Sequence, residues 1–174
     1  VFFLARVQAS LYFMNNIADE TIFNRARRQV LINAVPFVVL FLIFVGVTLT
    51  ADGYELNPVN GEVFVRKYKY FFNLIEMPWV AVMFLIGVVS VLYAIIRAAF
   101  SKTWICGIWY SGIGTVLVVL SLFFLAGYNN TPYYPSAVDL QSSLTIYNSS
   151  SSLFTLEVMT VVSFLVPFVL AYIV

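Results

Sequence analysis

The sequence predicts an all-α integral membrane protein: one membrane domain over residues 1–174, built as an antiparallel four-helix transmembrane bundle plus the tail of a preceding helix. Three observations carry this. Of the residues, 62% are hydrophobic and only 10% charged, against roughly 25% charged in an ordinary soluble domain. The mean hydropathy is +0.95, a value at odds with a water-facing surface. Four segments, about 30–50, 78–96, 105–126 and 153–174, approach the roughly 20 apolar residues that cross a ~30 Å hydrocarbon layer. Spans of that length must satisfy every backbone donor and acceptor internally, so they are helices.

Taken in order, residues 1–17 begin inside an apolar run without a start Met and read as the end of a preceding span rather than a signal peptide. That reading implies a longer polypeptide. In the first full span, 30–50, Pro36 is expected to kink the helix, as is Pro167 in the last. Pro78 instead suits the first turn of its span, where the missing N–H is harmless. The third span opens with "GIWYSGIG", whose Gly107, Gly112 and Gly114, with Ser111 and Thr115, form a small-residue face for close helix approach.

Between the spans lie 15–29, 51–77, 97–104 and 127–152. Four spans place the first and third of these on one side, with Arg25, Arg27, Arg28, Arg97 and Lys102. The other two hold Arg66, Lys67 and Lys69. The excess of basic residues assigns the first pair to the cytoplasm, and loops 51–77 and 127–152 to the outside.

Composition excludes several classes. A net charge of +1 and the lack of a basic stripe interleaved with aromatics argue against nucleic acid as a partner. The single Cys106 rules out an internal disulfide framework. There is no His, the commonest haem and transition-metal ligand, so no metal ligand and no catalytic residue is assigned. Walker loops, dinucleotide fingerprints and arrayed voltage-sensor arginines are also lacking.

The candidate site residues are therefore few. Arg6, about two turns before the first polar loop, either snorkels to the headgroups or makes a specific ion pair or headgroup contact. Glu157, one turn into the last span, and Glu76, ahead of Pro78, suit the positive end of a helix dipole; a proton-relay or interface role is the alternative for each. No acid follows at the middle of any span, so these residues alone draw no proton wire. Ser151 or Ser152 is expected to cap the last span. Trp79, Trp104 and Trp109 suit an aromatic belt, with a quinone or lipid contact left open.

The stretch "YPSAVDLQSSLTIYNSSSSLFTLEVMTVVSFLVPFVLAY", residues 134–172, resembles the end of subunit II of cytochrome bd ubiquinol oxidase. Ser143, Leu144, Thr145, Ile146, Asn148, Thr155, Leu156, Met159 and Pro167 carry the match, and upstream "DGY" at 52–54 and "NPVNGEV" at 57–63 fall where that family has them. The resemblance covers nearly the whole chain, in register with the end of the fourth span and spans five to eight. It implies a haem-free subunit of a bd-type quinol:oxygen oxidoreductase in a bacterial inner membrane, supporting assembly of a haem-bearing subunit I. Two b-type haems, one d-type haem and the quinol site are expected in that partner, with no cofactor in this chain. The acidic positions proposed for the family's proton pathway lie further toward the N-terminus, and no residue here inherits them. The rival readings are half of a transporter bundle and a purely structural membrane subunit.

Overall fold

A computed structural model describes residues 1–101 and 103–173; Lys102 and Val174, counted above in a loop and in the last span, lie outside the described residues. Helix α1 (Phe2–Asn16) turns through three residues into α2 (Glu20–Thr50). Asp19 caps α2, its side chain accepting from the Ile22 N–H at 2.8 Å, which satisfies one of the orphan donors of the first turn. A short hairpin follows, β1 (Gly53–Leu56) and β2 (Val63–Arg66), then α3 (Lys69–Glu76), α4 (Pro78–Phe100) and α5 (Gly107–Gly127). The connection to the last helix contains the single-turn α6 (Ile146–Ser149), and α7 (Leu153–Ile173) completes the chain.

The fold class stands as the composition implied: helices dominate, and α2, α4 and α5 are long and apolar enough to cross a membrane. Particulars differ. Residues 20–29, expected as loop, are helical, because Arg and Gln are good helix formers and Asp19 starts the helix ahead of the apolar run. At 31 residues α2 is about 46 Å long, longer than the ~30 Å of a hydrocarbon layer. Pro36 and Pro167 both sit inside continuous helices.

The packed bundle is α1, α2, α4 and α5, and its core joins Val7, Leu11 and Met14 to Ala26, Val30 and Ala34 and to Val91, Ile95 and Ala98. Helix α1 thus occupies the fourth place that the lengths of the apolar runs suggested for the last span. In α7 the described side chains at 153–169 are exposed, Thr155 alone being partly covered. An evenly apolar helix has no preferred face to bury against its own chain, which is why hydropathy identified the helix but not its neighbours.

The closest approach is between α4 and α5. A Cβ on Gly87 would meet the Gly114 carbonyl at 2.8 Å, and one on Gly114 would meet that of Gly87 at 2.7 Å. Ser111 and Gly107 are buried on the same face of α5, whereas Gly112 has open space around it. At 100° per residue, 107, 111, 114 and 118 share a face and 112 lies opposite. The expected small-residue seam therefore excludes Gly112.

Loop 51–77 contains the one sheet among the described residues. Asn57 accepts from the Val59 N–H at 2.9 Å through its side chain, its own N–H donates to Glu62 O at 2.8 Å, and Gly61 supplies a positive φ of 69°. These close the turn of a hairpin pairing Gly53 with Arg66 and Leu56 with Val63. "NPVNG" between "GYEL" and "VFVR" is a recognisable turn signal between short strands.

Candidate functional site

Polar side chains concentrate where the hairpin meets α3 and the C-terminus of α5. Tyr68 adopts a left-handed conformation (φ 54°, ψ 34°), sharply redirecting the chain from β2 into α3, and its N–H donates to Asp52 Oδ1 at 3.3 Å. The next residue, Lys69, is completely buried. Its Nζ lies 3.2 Å from Glu55 Oε1 and donates to the Asn129 carbonyl at 3.1 Å.

Glu55 is shared. Arg66 Nη1 donates to both of its oxygens, at 3.2 and 3.0 Å, a diagonal cross-strand pair, since Glu55 faces Phe64 and Arg66 is two residues on. Arg66 Nη2 reaches Glu76 Oε1 at 3.4 Å, and its guanidinium lies 4.7 Å from the centre of the Phe72 ring, within cation–π range. Two cations and two carboxylates form a group of zero net charge, in which the buried Lys69 is matched by the largely covered Glu55.

A second layer of amides anchors this group to the bundle. Asn73, also completely buried, donates to the Leu125 carbonyl at 3.0 Å and to Thr131 Oγ1 at 2.8 Å. Leu125 is in the last turn of α5, whose final carbonyls have no intrahelical donor; Asn73 serves as a cap supplied from another helix. Asn129 Nδ2 donates to Asn73 Oδ1 at 3.1 Å and to Glu76 Oε2. Asn129 and Asn130 both have φ of 56°, a left-handed conformation that Asn tolerates better than most residues. That turn also brings Asn130 O to the Leu56 N–H at 2.8 Å.

Burial pushes the Lys69 ammonium below its ordinary pKa of 10.5, with Glu55 opposing the shift. The hydrogen-bonded Glu55 carboxylate raises Arg66, against a smaller lowering by burial. Every member of the cluster has a partner, and these contacts join the hairpin, α3 and the 129–131 turn.

The serine-rich connection is fastened to the same end. Gln141 donates to Val63 O at 3.2 Å and accepts from Val63 N at 2.9 Å, so its side-chain amide continues the sheet at the free edge of β2. Thr145 and Asn148 form a capping box around α6, and Asn148 donates to the Ser143 carbonyl at 3.1 Å.

Of the residues singled out from sequence, Glu76 joins this cluster. Glu157 lies on exposed α7 with no ion pair or side-chain hydrogen bond among the described residues. Ser152, adjacent to α7, accepts from the Thr155 N–H at 3.4 Å; Ser151 is exposed and makes no such bond. Arg6 is on the exposed side of α1, 5.6 Å from the centre of the Phe2 ring. Sequence reasoning missed Glu55, Arg66, Lys69, Asn73, Asn129 and Thr131. The available signal was the i, i+4, i+7 spacing of Lys69, Asn73 and Glu76, a polar stripe on an otherwise apolar short helix.

Within the bundle, a cavity of about 380 Å³ is lined by Phe3, Leu4, Phe41, Val88, Val119 and Leu122 among others, with Thr115 as its one polar residue. Its lining suits an apolar molecule and carries no acid or base. Gln8 Nε2 donates to Thr115 Oγ1 at 3.0 Å, linking α1 to α5. Aromatic groups mark both ends of the bundle: Trp79 packs edge-on to Phe124 and Tyr128, and Trp104 packs against Tyr93 and Tyr110, with Arg97 5.9 Å above the Trp104 ring. Among the described residues no group of three or more His, Cys, Asp or Glu could hold a metal ion.

Apolar spans between two aromatic girdles, with the polar chemistry gathered at one end, define an all-α integral membrane protein. The family model for cytochrome bd terminal oxidase subunit II matches residues 1–174, and the chain belongs to that family. It is 30% identical over 154 residues, 82% of this chain, to the probable cytochrome oxidase subunit 2 of Haemophilus influenzae. The chain spans 39% of the length of that relative.

Proposed function

We propose that this chain is part of the haem-free subunit of a bd-type quinol:oxygen oxidoreductase, where it supports assembly and stability of the haem-bearing subunit. The observation that carries this reading is the family match across all 174 residues. The side chains are compatible with it, since the polar groups of the hairpin end join segments to one another and the bundle core is built mainly of apolar residues. The haems and the quinol site belong to the partner. The complex sits in a bacterial inner membrane, with the hairpin end, loops 51–77 and 127–152, outside and the arginine end inside. In this reading Ser152, with Ser151 beside it, caps α7, Glu157 complements the dipole of that helix, and Arg6 snorkels.

The test is purification of the complex through this subunit. A copurifying His-rich membrane protein and a b- and d-type haem difference spectrum are expected, whereas substrate flux in vesicles without redox activity would overturn the proposal. The chain expressed without its partner is expected to bind no haem, and a haem spectrum from it would count equally against the reading.

A further inference from the structure

Helix α3 is inside-out with respect to water. Lys69 and Asn73 are completely buried, while Phe71, Phe72 and Ile75 are 44%, 38% and 60% exposed. Tyr68, just before the helix, is 50% exposed. At helical spacing 68, 71, 72 and 75 share one face, and 69, 73 and 76 fall on another. The polar stripe is fully engaged with Glu55, Arg66, Asn129, Thr131 and the Leu125 carbonyl, so the helix cannot rotate to hide its apolar stripe. In water that stripe would be a standing cost of burial forgone.

We propose that α3 is an interfacial helix whose Phe71, Phe72 and Ile75 face is seated in the boundary between the headgroups and acyl chains of the bilayer. Its position in the chain leaves little choice of depth. A single residue, Met77, both ends α3 and precedes α4, one of the helices long and apolar enough to cross a membrane. Through Asn73, α3 also covers the C-terminal carbonyls of α5, another such helix. Trp79, two residues after Met77 and 48% exposed, stands with Phe124 and Tyr128 in the aromatic girdle of that end, the depth at which aromatic rings partition. An amphipathic segment held at this level with its apolar side outward lies along the lipid boundary. The Lys69 cluster then acts as its fastening: it keeps the polar face of α3 on the protein and presents the other to lipid.

The proposal is independent of the oxidase reading, since neither readout below depends on turnover. In the purified complex carrying Cys106→Ser, reconstituted in phosphatidylethanolamine–phosphatidylglycerol vesicles, nitroxides are placed at Phe71→Cys, Ile75→Cys and, in the hairpin turn, Glu62→Cys. Labels at 71 and 75 are expected to collide several-fold more with lipid-partitioning oxygen than with an aqueous nickel chelate, and the label at 62 to show the reverse. Nickel-dominated relaxation at 71 and 75 would overturn the proposal, as would shielding from both reagents, which would place a protein partner there. In the unsubstituted complex, a phospholipid with a photoactivatable group near its glycerol should mark the 67–77 peptide; labelling of α4 without labelling of that peptide would also overturn it.

Discussion

Lys69 is the residue on which the hairpin end depends, because a fully buried ammonium is tolerated only with its charge matched and its protons accepted. Glu55→Gln removes the carboxylate that Lys69 and Arg66 share, leaving Asn129 O as the remaining acceptor. The loss expected from breaking such a pair is about 3 kcal/mol, measurable as a lower thermal midpoint of the complex and faster proteolysis in the 57–62 turn. The effect should depend on pH. Because burial holds the folded pKa of Lys69 below 10.5, the unfolded chain binds the extra proton in the window between the two values, and folding becomes more favourable as pH rises through it. Below the folded pKa the penalty is present in full. Glu55→Gln lowers that folded pKa further, so the deficit of the variant should shrink as pH is raised toward 10. A deficit that is flat or grows over that range would exclude this account.

At the scale of elements, the α4–α5 seam and the start of α7 make contrasting demands. Gly114→Val places a side chain where the Gly87 carbonyl already stands, so the helices must separate; overpacking of this kind costs about 1–3 kcal/mol. Gly112→Ala, one turn-face away in open space, should change stability by under about 1 kcal/mol. Thermal retention of the complex in detergent distinguishes the two, and equal sensitivity would contradict the seam. For α7, Ser151→Ala with Ser152→Ala is expected to weaken the first turn by about 0.5–2 kcal/mol, nearly all of it from Ser152, and to reduce assembly with the haem subunit. Glu157→Gln should cost no more than about 1 kcal/mol of dipole energy and leave oxidase turnover in place. A fully assembled but inactive Glu157→Gln complex would instead assign that carboxylate to proton transfer.

For the whole molecule, the uneven distribution of chemistry is the informative feature. Arg25, Arg27, Arg28 and Arg97 gather at one end, the charge-neutral cluster and hairpin at the other, with apolar packing between. The proposed orientation is open to a direct check: cysteines introduced at Val59 and at Arg28, in the Cys106→Ser background, should react with an impermeant maleimide in right-side-out vesicles at 59 and not at 28. The opposite pattern would invert the molecule and leave the fold as described.

Membrane class and helical content were legible because they follow from short-range sums: enough consecutive apolar residues must leave water, and their backbones must then close on themselves. The resemblance over 134–172 was legible for a similar reason, being carried by local order of residue types. Which helices pack together was not, since nothing in the residues of α7 names a neighbour, while α1 is short yet has Val7, Leu11 and Met14 on one face to insert. Glu76 was visible as an acid before a proline, but its partners Arg66 and Asn129 come from segments 10 and 53 residues away. The burial of Lys69 was hidden for the same reason: a lysine beside "RK" is ordinarily solvated, and only the meeting of the hairpin, α3 and the 129–131 turn supplies the Glu55 carboxylate and Asn129 carbonyl that let it enter the interior. Local composition decides what must leave water, whereas the pairing of buried polar groups is decided by long-range contacts that exist only once the chain has folded.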